Sequence, residues 1–135
     1  MSYEELDHTA DVRLRVRSPS LNSLFEETAL AMMNIVYGVS RPGTAEKTLE
    51  LEAGNTENLL LDFLSEVLFL SEVEYLVFSS ATVQIAGNSL RAVLAGESFD
   101  PERHRGGTEI KGISYSGLKI VKEDEEYVLD ILFDV

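Results

Sequence analysis

The stretch HTADVRLRV, residues 8–16, decides how the rest of the chain is read. Val12, Leu14 and Val16 alternate with Arg13 and Arg15, the period-2 signature of a strand with one buried face. A histidine, two small residues and an aspartate stand in front of it, and none of these favours a strand. The terminal stretch YVLDILFDV, residues 127–135, has the same period: Tyr127, Leu129, Ile131, Phe133 and Val135 share one face and Asp130 and Asp134 the other. If these two strands are neighbours, Asp11 and Asp134 meet on one polar face, with the carboxylate of Val135 a residue further along. Carboxylates so placed repel one another unless a cation or a basic side chain neutralises them. Calcium or magnesium, which take oxygen ligands, are the natural candidates, and manganese suits the same donors. Lys111 is a basic residue that could balance the acidic cluster, or it alternates on an exposed strand.

Between the two strands the pattern is mixed. SPS at residues 18–20 ends the first strand, and Ser18 or Ser20 can cap a helix with Leu21, Leu24, Phe25, Thr28, Met32 and Ile35 at helical spacing. Gly38, Pro42 and Gly43 close it. Leu49 and Leu51 alternate with Glu50 and Glu52 as a short strand. Asn55 caps a second helix, LLLDFLSEVLFL at its centre, apolar on more than one stripe. That pattern predicts the most buried element of the molecule, with a partner-binding face as the alternative. From Tyr75 onward strands follow, with Gly87-Asn88 as a hairpin turn, a polar loop ESFDPERHRGG, strands TEIKGISY and GLKIV, and an acidic turn at 123–126. One α+β domain over residues 1–135 is expected, two helices on largely antiparallel sheet.

Composition narrows the function. The chain has 135 residues, enough for one sizeable core, with 44% hydrophobic and 26% charged residues. Eleven basic against 24 acidic side chains give a net charge of -13, which repels polyphosphates and argues against strong direct nucleic-acid binding. The absence of cysteine excludes disulfides, thiolate metal sites and cysteine nucleophiles. Glu4, Glu5 and Asp7 stand where a secretory signal would be basic, and the longest apolar run is broken by Asp62, Ser65 and Glu66, too short to span a bilayer. A cytoplasmic protein without membrane association is expected. His8 and His104, the two histidines, are weaker site candidates, read equally as loop hydrogen-bonding residues. Arg103 to Gly107, RHRGG, is a compact basic patch that could touch a phosphate or simply be an exposed loop. No phosphate-cradling loop, GxSxG elbow or HExxH helix occurs.

Taken together, DHTADVRLRV, LNSLFEETALAM, NTENLLLDFLSEVLFL, GESFDPERH with EIKGISY, and the closing ILFDV resemble the archease family, in family order over nearly the whole chain. The resemblance implies a small chaperone-like protein, not itself an enzyme, that serves the RtcB-type tRNA-splicing ligase. It would promote guanylylation of the ligase, allow multiple turnover in tRNA splicing and RNA repair, and broaden nucleotide use. It further implies a metal site of Asp11, Asp134 and Val135, with a divalent ion, calcium first, and a functional Lys111 at the ligase's site. Members often carry a histidine after the tyrosine of the KAVTY-like strand; here Tyr115 is followed by Ser116. The competing reading is a small metal-dependent phosphoester hydrolase with Asp11 and Asp134 as ligands, and His8 or His104 to activate water.

Overall fold

A computed structural model describes residues 2–6, 11–38, 42–104 and 107–135. The elements in order are β1 (Ser2–Leu6), β2 (Asp11–Ser18), α1 (Leu21–Tyr37), β3 (Ala45–Glu52), α2 (Thr56–Glu74), β4 (Leu76–Ala86), β5 (Ser89–Ser98), β6 (Gly112–Glu123) and β7 (Glu126–Asp134). They form two sheets, of order β1-β2-β7-β6 and β3-β5-β4, and all their strand pairings are antiparallel. The expected α+β fold is therefore present. The two alternating strands that opened the reading, β2 and β7, are neighbours.

Alternation fixes which face of each strand is inside. Leu14, Val16, Leu129, Ile131 and Phe133 are buried, while Arg13 is exposed and Arg15, Arg17 and Asp130 are half-buried on the other face. Both helices touch both sheets, α1 against β2 and β4, α2 against β6, β3 and β4. The shared core includes Phe25 and Phe63, whose rings stack at 5.9 Å.

Local chemistry sets the ends of the elements. Ser20 caps α1 by accepting from the Ser23 N–H at 3.1 Å, and Asn55 caps α2 by accepting from the Asn58 N–H at 2.8 Å. Gly38, at φ 75, ends α1 with its N–H bonded to the Asn34 carbonyl. Gly87 and Asn88 make the β4–β5 turn, Gly87 at φ 61, and bring Ile85, Val83 and Ala81 opposite Leu90, Ala92 and Leu94.

Three features differ from the sequence reading. β1 is an additional strand: its acid-rich sequence lacks a clear apolar alternation, and it pairs along β2 with Glu4 opposite Arg15. TEIKGISY and GLKIV are not two strands. Residues 108–111 are loop, and β6 is one strand whose register slips between Ser114 and Lys119, where Gly117 takes φ 78. Nor is α2 the most buried element. It buries one stripe, Leu59, Leu60, Phe63, Leu64, Val67 and Ser71, whereas α1 buries eight residues of 17, including the small Ala29 and Ala31 that allow close approach.

The helix α1 also closes a sheet edge. β4 is an outer strand, and the Asn22 side chain accepts from the Ile85 N–H at 3.0 Å while the Glu26 carboxylate accepts from the Val83 N–H at 2.7 Å. Two helical side chains four residues apart thus take the place of a neighbouring strand, blunting an edge that would otherwise pair with another chain.

Candidate functional site

Asp11 is the first residue of β2 and Asp134 the last of β7, and the antiparallel register sets them directly opposite one another. Directly opposed residues project to the same side of a sheet with Cβ atoms roughly 5 Å apart. The two carboxylates are therefore brought together, Asp11 half-buried and Asp134 exposed. On the far side of Asp134 the partner in register is Gly112, the first residue of β6. A Cβ at position 112 would lie 3.4 Å from Asp134 Oδ2, in ordinary van der Waals contact, so glycine there leaves that side of the carboxylate uncovered.

Lys111 joins the same place through its main chain. Its N–H donates to the Asp134 carbonyl at 2.7 Å, and its side chain is exposed. The residue before it, Ile110, is buried in the core. Further back, the Thr108 N–H donates to the Ile35 carbonyl at 2.8 Å, tying the approach to the end of α1. Val135 packs its side chain against the core, which fixes its main-chain oxygen beside Asp134.

The donors available here are hard oxygens: two carboxylates and the main chain of Val135. They fit a hard divalent cation, whose charge would offset the repulsion between the aspartates. Among the described residues no cluster of three or more His, Asp or Glu side chains is arranged to hold a metal, so main-chain oxygen and water would complete the shell. His8, with Thr9 and Ala10 of the same motif, lies outside the described residues.

His104 sits elsewhere, in the β5–β6 loop, 2% exposed. Its Nδ1 accepts from the Asp100 N–H at 2.8 Å, which puts the proton on Nε2, 3.2 Å from Glu97 Oε2. Its ring packs on Phe99 and Tyr37. Arg103 bonds Glu97 and reaches Asp100 at 3.1 Å. The Glu102 N–H, followed by Arg103, holds the Asp100 carboxyl below its ordinary range. The described part of the basic RHRGG patch is thus tied into the loop by acidic partners; Arg105 and Gly106 lie outside the described residues.

The outer face of β2 gathers Arg13, Arg15 and Arg17 on an otherwise acidic molecule. Arg15 makes a fork with Asp130, Nε to Oδ1 at 2.7 Å and a second bond at 3.2 Å, and this bonding holds the Asp130 carboxyl low against the opposing effect of burial. Arg13 lines a groove of about 240 Å³ with Ser116 and Gly117. Ser116 thus lines the same groove as Arg13, which stands two residues along β2 from Asp11. Neither Gly112 nor this groove was apparent from sequence: the strand parity that paired Asp11 with Asp134 would have found Gly112 only with the β6–β7 register in hand.

Comparison with known proteins agrees with this architecture. The model of the Archease protein family matches residues 3–135. Protein archease of Methanosarcina acetivorans is 34% identical, the match covering 98% of this chain and 95% of that protein. Protein archease-like of Drosophila melanogaster is 34% identical over 100% of this chain and 91% of its own length. The solution structure of Methanobacterium thermoautotrophicum protein 1598 superposes with a TM-score of 0.85 at 27% identity, covering 98% of both chains. A crystal structure of a Thermotoga maritima archease, described as a possible chaperone, shares the fold with a TM-score of 0.67 at 22% identity, covering 98% of this chain and 96% of that one. None of these similarities favours the hydrolase reading. A family match over nearly the whole sequence, relatives above 30% identity along more than nine-tenths of their length and a shared two-sheet fold together place this chain in the archease family.

Proposed function

We propose that this protein activates an RtcB-type RNA ligase, promoting its guanylylation so that it turns over repeatedly in tRNA splicing and RNA repair and accepts a broader set of nucleotides. The observation that carries this reading is the direct opposition of Asp11 and Asp134 at open strand ends, with Lys111 locked to Asp134 through its main chain. In this account Asp11, Asp134 and the Val135 main chain hold a divalent cation, calcium first, with magnesium or manganese suiting the same donors. The cation, when bound, supplies positive charge to the phosphate oxygens of a nucleoside triphosphate. Lys111 offers an exposed ammonium to the same anion from one residue beyond Gly112. The activator itself makes and breaks no bond.

Charge supports the choice of partner. A net charge of -13 speeds encounter with a basic, RNA-binding enzyme and disfavours a grip on free RNA. Among the described residues no helix is long and apolar enough to cross a membrane. The test is ligation by the cognate RtcB-type ligase with this protein at substoichiometric amounts: product in excess of ligase supports the proposal, and product limited to one turnover with and without the protein contradicts it.

A further inference from the structure

The stripe that α2 buries leaves its opposite face to solvent. At about 100° per residue that face carries Asp62, Ser65, Glu66, Phe69, Glu72 and Val73. Phe69 is 55% exposed and Val73 54%, four residues apart and so side by side. Tyr75, which follows the helix, is 70% exposed and holds a left-handed conformation at φ 55. Glycine or asparagine takes that conformation at least strain, and here an aromatic residue adopts it without burying its ring.

The charges that α2 itself carries have a single sign. Glu57, Asp62, Glu66, Glu72 and Glu74 are all the charged residues of α2, and the helix has no lysine or arginine. A helix face meant only for water usually mixes both signs at i,i+4 spacing, because like charges there destabilise the helix. Among the described residues Glu74 alone of the five is ion-paired, to Lys47 at 3.4 Å.

We propose that this face of α2 docks a cationic protein surface with an apolar cleft, Phe69 and Val73 entering the cleft while Asp62, Glu66 and Glu72 meet the basic rim. The choice of the RtcB-type ligase as the protein bearing that surface rests on the function proposed above. A second copy of this chain would set the same acidic residues against themselves on a molecule of charge -13. An anionic lipid surface or a nucleic acid is repelled in the same way. A basic protein is the remaining class of partner, and two apolar anchors at i,i+4 within an acidic face match the way helices enter grooves.

The experiment titrates the full chain into the cognate RtcB-type ligase by calorimetry at low and high salt. It compares wild type with the double variants Phe69→Ser/Val73→Ser and Glu66→Lys/Glu72→Lys, each confirmed folded by circular dichroism. Both variants are expected to weaken binding by about tenfold or more, and the charge variant to flatten its salt dependence. If wild type binds and both variants bind as tightly, the docking face is overturned while the proposed function stands. If wild type does not bind the ligase, both fall. If the serine variant instead abolishes a concentration-dependent dimer in gel filtration and leaves ligase binding unchanged, the occupant is a second copy and the inference is wrong.

Discussion

Asp11 and Asp134 stand directly opposite each other across β2 and β7, with Gly112 in register on the other side of Asp134. Two carboxylates in facing positions of an antiparallel pair destabilise it. In the function proposed here, a cation bound between them would offset that repulsion.

Calcium should therefore raise the thermal midpoint of the protein. At a concentration about 100 times the dissociation constant, the expected gain is roughly 2.7 kcal/mol. Differential scanning fluorimetry with and without chelator checks this, and Asp134→Asn is expected to keep the fold and lose the response.

Gly112 offers a second test of the proposed cation site. Gly112→Val sets a branched side chain in contact with Asp134 Oδ2 and covers that side of the carboxylate, in a backbone position with no positive φ to oppose the substitution. Calcium affinity is expected to fall by about tenfold, a figure that corresponds to about 1.4 kcal/mol, with an unchanged far-ultraviolet spectrum; calorimetric titration reads it.

Glu26 guards the edge of β4. Glu26→Ala leaves the Val83 N–H without its acceptor in a residue 2% exposed, at an expected cost of about 1–3 kcal/mol. Glu26→Gln retains an oxygen and should cost less. Urea unfolding measures both, and light scattering is expected to show more association for the alanine variant, whose edge strand offers a free donor.

The fork between Arg15 and Asp130 makes stability depend on pH. Arg15 holds the Asp130 carboxyl below its ordinary value, so folding favours its ionised form. That contribution is fully present above the ordinary carboxylate range and is lost as the pH falls through the depressed folded value. Thermal melts at a series of pH values should show wild type ahead of Asp130→Asn at neutral pH, with the difference shrinking only under acid conditions.

The parts of the fold legible in the sequence were those whose signals are local. Residues 12–16 and 127–135 each declare a buried face by alternation, Asn55 declares a cap, and Gly87-Asn88 a hairpin. β1 was not legible because nothing within Ser2–Leu6 announces it; the open edge of β2 and the Glu4–Arg15 register supply the pairing. Gly117 looks like a strand break, yet its φ of 78 is absorbed as an irregularity inside β6. The apolar run in α2 exceeds one stripe and predicted the most buried element, whereas packing covers one stripe and leaves Phe69 and Val73 outside.

The candidate site was legible to the extent that parity reaches. It placed Asp11 and Asp134 on polar faces that could meet, and the register makes them meet. Lys111 could be named a candidate but not located, because its tie to Asp134 is a main-chain bond between distant segments. His104 is built into its loop by Asp100 and Glu97, partners close in sequence whose geometry depends on the turn at 100–104.

The most direct test of the account is multiple-turnover RNA ligation by the cognate RtcB-type ligase, with this protein substoichiometric, comparing wild type with Asp134→Ala. The account predicts many ligations per ligase with wild type and a return to one turnover with the variant, which remains folded. Equal stimulation by the two proteins would contradict it.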